Sequence, residues 1–181
     1  MNISAEAISS RFCADLPTEI ARRLDSMFPN RDADIALHEP RFNTQAEKLV
    51  LECVRSTYVS SVGEYVSQFE DKLAAACGVK YAVAMVNGTA ALEVALKVAG
   101  VDPGSEVLMP SLTFVATANA VSHLNAVPHF VDVEDRSFGI DSHALERHLK
   151  KIGRQTSGRL FNKETGRRIS AIIPVHVFGH P

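Results

Sequence analysis

The sequence predicts an α/β domain, a mainly parallel sheet with helices on both faces. Three observations carry that reading. YAVAMV (81–86) is a continuous apolar run, as expected of a strand buried on both faces, and EVLMP (106–110) and ISAIIPVHVF (169–178) read as further strands. Between them lie stretches with the helical apolar period, so strand and helix alternate repeatedly. The chain of 181 residues, 46% hydrophobic, is long enough to bury roughly 70% of its unfolded surface.

The elements follow in order. Residues 1–37 read as one or two helical pieces, with Ile20, Leu24 and Met27 spaced by four and three; Pro29, Asn30 and Asp32 interrupt them. This is expected to be an N-terminal helical extension, with the main domain at 38–181. Residues 43–56 place Ala46, Leu49, Val50, Cys53 and Val54 on one helical face. After the turn-like SSVG, a helix is expected at 67–77, striped by Phe69, Leu73 and Ala76 and stopped by Gly78. YAVAMV is then a buried strand, and NGTAALEVALKVAG a helix from Gly88-Thr89 to Gly100. EVLMP is a strand, TFVATANAVSHL a helix and AVPHFVDV a strand. DSHALERHLKKI is a helix capped by Asp141. GRQTSGRLFNKETGRR reads as an insertion, a hairpin with NKETG as its turn, before the strand ISAIIPVHVF. No crossover helix follows that strand before Pro181, so the chain reads as truncated, with an apolar edge exposed and poor solubility expected.

Composition excludes several classes. The net charge is -2, with 19 Lys+Arg against 21 Asp+Glu, and the pI is about 6.4, so there is no overall basic footprint for nucleic acid. No apolar run approaches the ~18 residues of a membrane span, and no signal peptide is evident. Cys13, Cys53 and Cys77 are odd in number and unpaired in spacing, which reads as buried or half-buried thiols in a reducing cytoplasm.

The residues suggest a few sites. At NGTAAL (87–92) a strand runs into Asn87-Gly88-Thr89 and a helix starts at once. Gly88 would let the backbone turn sharply, and the first helical amides with the Thr89 hydroxyl could hold a phosphate. An ordinary capped strand–helix turn reads equally well. No GxxxxGK[ST] or GxGxxG motif is present. Phe114 lies where an aromatic can project over a bound ring at a strand's carboxyl end, although the residues alone favour a core position. His176 and His180 suggest a metal, but Gly179 and Pro181 deny them a helical i, i+4 face, so no metal is expected. His123, His129, His143 and His148 read as surface or satisfied histidines. Asp132, Glu134 and Asp135 read as solvated charge rather than a catalytic pair.

Taken together, SSVGEYVSQFE (60–70), NGTAALEVAL (87–96), PGSEVLMPSLTFVATANAV (103–121), PHFVDVE (128–134) and AIIPVHVFGHP (171–181) resemble the DegT/DnrJ/EryC1/StrS family. Its members are pyridoxal 5'-phosphate (PLP)-dependent nucleotide-sugar aminotransferases of fold type I. LHEPRF (37–42), LTFVATANA, PHFVD and HVFGHP most resemble the branch that aminates UDP-linked 4-keto-6-deoxy-N-acetylhexosamines for surface polysaccharides. The resemblance implies that Gly88, Thr89 and Ala90 hold the cofactor phosphate, that Phe114 stacks on the pyridine ring and that His176 lies beside it. It implies that Tyr58, Ser60 and Ser61 line the sugar-nucleotide side. The partners it implies are a nucleotide sugar, an amino-acid donor (glutamate) and a second subunit in a cytoplasmic homodimer, with no nucleic acid or membrane. The family's ring-pairing aspartate and Schiff-base lysine come later than any segment here, and Lys48, Lys72, Lys80, Lys97, Lys150, Lys151 and Lys163 do not match that motif. No catalytic residue is therefore assigned to these 181 residues. A PLP-dependent sugar dehydratase of the same fold and an inactive truncated fragment are the alternatives.

Overall fold

The computed structural model describes residues 5–29 and 40–179, with side chains from Asp15 onward. The chain divides into two compact units, Met1–Ser60 and Ser61–Pro181. The first contains α1 (Ala5–Met27), a single helix with Pro17 inside it, and α2 (Thr44–Ser56). The Asn43 side chain accepts the Ala46 amide at 2.9 Å to open α2. Ile20, Leu24 and Met27 are exposed. Among the described residues no helix is long and apolar enough to cross a membrane.

The second unit opens with α3 (Glu64–Cys77), three residues earlier than the apolar stripe suggests. Gly78 ends it in the left-handed conformation at φ 65°. The expected strand at 81–86 does not form: these residues join no ladder, and Tyr81, Val83, Met85 and Val86 are exposed. A strand apolar on both faces needs neighbouring strands and a packed layer over each face, and none of the described strands pairs with it. Its Ala84 amide instead donates to the Glu70 carboxylate at 2.8 Å.

Beyond it, α4 (Gly88–Val98), β1 (Glu106–Pro110), α5 (Val115–His123), β2 (Val127–Val131) and α6 (Ser142–Ile152) follow close to expectation. Asp141 caps α6 through the His143 and Ala144 amides, both at 2.9 Å. The insertion folds into β3 (Gly153–Thr156) and β4 (Arg159–Asn162), and the strand expected after it forms as β5 (Arg168–Ile172). The turn at NKETG joins β4 to β5, and a second, tighter turn at Ser157-Gly158 joins β3 to β4. Both of its residues have positive φ (50° and 73°), as a two-residue hairpin turn with the native twist requires. The last strand stops at Ile172. Ile173 still donates to Leu108, but residues 174–176 leave the ladder.

The sheet runs β2-β1-β5-β4-β3. β1 pairs parallel with β2 and β5, while β3, β4 and β5 pair antiparallel, so the sheet is mixed rather than mainly parallel. Helices cover both faces, as expected. Val107 and Met109 pack with Leu96 of α4 and Ala120 and Val121 of α5. Leu108, one residue out of step, packs on the other face with Ile152 at the end of α6. β1 is buried along its whole length, which is why EVLMP reads as a plain apolar run.

Gly153 joins α6 directly to β3. A Cβ there would sit 2.5 Å from the Leu149 carbonyl oxygen and 3.1 Å from Leu160 Cδ1. The carbonyl belongs to helix backbone and cannot step aside cheaply. Gly153→Ala is expected to cost about 1–3 kcal/mol, measured as a lower urea midpoint with an unchanged slope.

Candidate active site

Three of the sequence-predicted segments, those carrying Gly88, Phe114 and His176, lie toward the carboxyl ends of the parallel strands. α4 ends at the amino edge, where Arg168 of β5 donates to the Gly100 carbonyl at 3.3 Å and pairs with Asp102 at 3.1 Å. Since α4 packs along the sheet through Leu92 and Leu96, its first turn faces the opposite, carboxyl edge. Phe114 sits at the N-cap of α5, just past the end of β1. His176 lies four residues beyond Ile172, the end of β5. The three segments thus emerge on one side of the sheet, where ligands of parallel α/β folds bind.

The first turn of α4 is the best-defined part. Asn87 is the N-cap, and its Oδ1 accepts the Ala90 amide at 2.9 Å, while its carbonyl accepts Ala91 at 3.1 Å. Among the described residues the Gly88 and Thr89 amides have no acceptor, as the first amides of any helix lack intrahelical partners. A Cβ on Gly88 would meet nothing within 4 Å. Gly88 does not have positive φ, so the expected sharp glycine turn is not what it provides; it leaves open space before two free amides. Two amides, a hydroxyl and the positive end of a helix fit a phosphate. Ala90 differs from expectation in that its amide is already engaged.

Phe114 is 78% exposed, so the core position favoured by its sequence context is not the one it takes. An uncovered ring at the N-cap of α5 is open to an aromatic ligand. His176 is exposed, its carbonyl accepting Gly179 in a 3-10 turn at Val177–Gly179. His180 lies outside the described residues. Tyr58 and Ser60 end the first unit and Ser61 begins the second, all three exposed.

Other polar residues have structural roles. The Glu134 carboxylate accepts the Ser137 hydroxyl and amide and the Arg136 amide. The Ser137 bonds, then the Arg136 amide, hold it below the usual carboxylate range. It is a half-buried turn cap rather than plainly solvated charge. His123 pairs with Glu93 between α5 and α4 at 3.3 Å. Cys53 is half-buried, but Cys77 is exposed at the last residue of α3, contrary to expectation.

Sequence reading missed one cluster. Glu106, 2% exposed at the amino end of β1, accepts Thr165 Oγ1 at 2.5 Å, Asn162 Nδ2 at 3.0 Å and His129 Nδ1 at 2.8 Å. His129 Nε2 meets His148 Nε2 of α6 at 2.8 Å. Burial alone would raise the Glu106 carboxyl, but the bonds from Thr165, Asn162 and His129 outweigh it and hold the group below its ordinary value. The available signal was a lone glutamate opening an apolar strand.

This fold and this edge define a cofactor-binding α/β protein, and comparison with known proteins gives its family. Residues 40–181 match the model of the DegT/DnrJ/EryC1/StrS aminotransferase family, and the chain belongs to that family. It is 39% identical over 145 residues to GDP-perosamine synthase of Caulobacter vibrioides, covering 80% of this chain and 35% of the relative. It is 36% identical over 118 residues to UDP-2-acetamido-2-deoxy-3-oxo-D-glucuronate aminotransferase of Pseudomonas aeruginosa, covering 65% and 28%. The crystal structure of NtdA from Bacillus subtilis with bound cofactor PMP superposes with a TM-score of 0.61 at 28% identity, covering 83% of this chain and 32% of that one. The chain thus spans about a third of the length of the relatives it matches. Proteins of this family and fold carry pyridoxal phosphate or its amino form.

Proposed function

We propose that the full-length protein carrying this chain moves an amino group from an amino-acid donor, glutamate, to a keto carbon of a nucleotide-linked sugar. The substrate in this reading is a UDP-linked 4-keto-6-deoxy-N-acetylhexosamine, and the product feeds a surface polysaccharide. The observation that carries the reading is the start of α4, where the Gly88 and Thr89 amides are free and the space before Gly88 is open. These two residues would hold the phosphate of pyridoxal phosphate, with Ala90 completing the turn through its bond to Asn87. The exposed Phe114 ring would stack on the cofactor, and His176 would flank it. Tyr58, Ser60 and Ser61 would line the sugar-nucleotide side.

When bound, pyridoxal phosphate supplies the amino carrier and the electron-accepting ring. This chain's part is to bind and orient that group, and the lysine that bonds to it is expected outside these 181 residues. The enzyme in this reading is a cytoplasmic homodimer, with residues 1–37 an extension outside the domain at 38–181. Relatives named for both GDP- and UDP-linked sugars support the substrate class; the UDP and 4-keto choice rests on LHEPRF, LTFVATANA, PHFVD and HVFGHP.

The test supplies the full-length protein with pyridoxal phosphate, glutamate and three acceptors: a UDP-4-keto-6-deoxy-N-acetylhexosamine, a UDP-3-keto sugar and a GDP-4-keto-6-deoxyhexose. Mass spectrometry and NMR should find a 4-amino product from the first. Amination of only another acceptor would replace the substrate, and no amination of any would end the proposal.

A further inference from the structure

The overall charge of -2 conceals a strong asymmetry. Residues 147–168 hold eight of the chain's nineteen basic residues and one of its twenty-one acidic ones. The eight are Arg147, Lys150 and Lys151 of α6, then Arg154, Arg159, Lys163, Arg167 and Arg168. All but Arg168 are exposed. Lys150 pairs with Glu146 and Arg168 with Asp102. The others form no ion pair with a described residue.

The fold presents these charges on a rigid support. β3 leaves α6 without a loop, and the Lys163 amide returns to the Ile152 carbonyl at 2.8 Å. Lys151, Lys163 and Arg167 therefore gather at one end of the hairpin. Arg154 and Arg159 continue along it toward the Ser157-Gly158 tip, about 13 Å away by strand rise. The NKETG turn is fixed to the sheet by Thr165 and Asn162 on the buried Glu106 carboxylate. The whole of 154–159 and 163–167 faces solvent. Little ordering entropy remains to be lost when a partner meets this surface.

We propose that this hairpin docks the protein on a bilayer surface bearing anionic phospholipid headgroups. A cluster of four to eight Lys and Arg is the range that gives useful attraction to such a surface, each charge acting within a Debye length. A nucleic acid fits less well. Phe161, the segment's one ring apart from His148, is half-buried, so there is no platform on which bases could stack. The acidic remainder of the chain would also repel a strand that ran past the patch, whereas a plane touches only the element that protrudes. Docking is peripheral and electrostatic, since the exposed stretches carry no large apolar side chain to insert. It is independent of the cofactor site.

The full chain is sedimented with phosphatidylcholine vesicles, with and without phosphatidylglycerol, at low and at high salt, subtracting what pellets alone. The expected result is binding to the anionic vesicles only, fading as salt rises. Replacing Arg154→Gln and Arg159→Gln together should weaken it roughly thirtyfold. The unfolding midpoint should stay unchanged, because both side chains are exposed and outside the Glu106 cluster. Equal binding to neutral vesicles, or wild-type affinity in the double variant, overturns the proposal. So does an oligonucleotide that stays bound at a salt concentration releasing the vesicles; it would make nucleic acid the partner.

Discussion

Glu106→Ala should be the most destabilising single substitution in the sheet, lowering unfolding stability by on the order of 3–5 kcal/mol. The carboxylate is the common acceptor for Thr165, Asn162 and His129. Deleting it strands the buried Asn162 amide and the largely buried His129 imidazole, and it releases the NKETG turn from β1. Glu106→Gln keeps the shape but sets an amide donor against donors, so its cost should be smaller, about 1–2 kcal/mol. Wild type also separates from both variants by pH. The folded carboxyl lies below its ordinary 4.5, so its contribution is full above that value and is lost as pH falls through the folded one. Wild-type stability should therefore drop on acidification in a way that Glu106→Gln does not share. Urea midpoints across the acid range for wild type and both variants check this. Equal acid sensitivity in wild type and Glu106→Gln would refute it.

What the sequence disclosed, and what it hid, divides by the range of the forces involved. Asp141 and Gly78 mark helix ends because a cap is satisfied within three residues of itself, so the pattern is complete in a short window. The resemblance to the family was legible for the same reason, being carried by short segments in a fixed order. YAVAMV failed as a strand because its apolar run states a preference for burial without naming the neighbour that supplies it. Glu106 was missed because its partners lie 23, 56 and 59 residues away. No window containing the glutamate contains them. The insertion at 153–168 was legible as a hairpin through NKETG, yet the tighter Ser157-Gly158 turn depends on positive φ at a serine, which sequence signals weakly. In the site, Gly88 and Thr89 were picked out correctly as the start of a helix. That Ala90 is engaged and Gly88 not sharply turned required the geometry of the Asn87 cap.

Gly88→Asp separates binding from folding at that turn and should have the largest effect on the cofactor. The position has an ordinary backbone conformation, and a Cβ there meets nothing within 4 Å, so the variant folds. A carboxylate in the first turn of α4 even interacts favourably with the helix dipole, by about 0.3–1 kcal/mol. Yet it brings a negative charge to the free Gly88 and Thr89 amides, where the phosphate of pyridoxal phosphate would lie. It both competes for those donors and repels the incoming anion. The full-length protein with Gly88→Asp should lose cofactor affinity by on the order of a hundredfold, the sum of a lost charge-assisted bond and a like-charge contact. Equilibrium dialysis against pyridoxal phosphate reads the affinity directly, without reference to turnover, and the thermal midpoint of the same sample should be equal to or above wild type. Thr89→Ala, which removes only the hydroxyl, should fall between, weakening binding about tenfold. If Gly88→Asp binds the cofactor as wild type does, the phosphate lies elsewhere and the start of α4 is an ordinary capped helix. If it fails to bind because it unfolds, the thermal midpoint shows it, and Thr89→Ala then decides the matter alone.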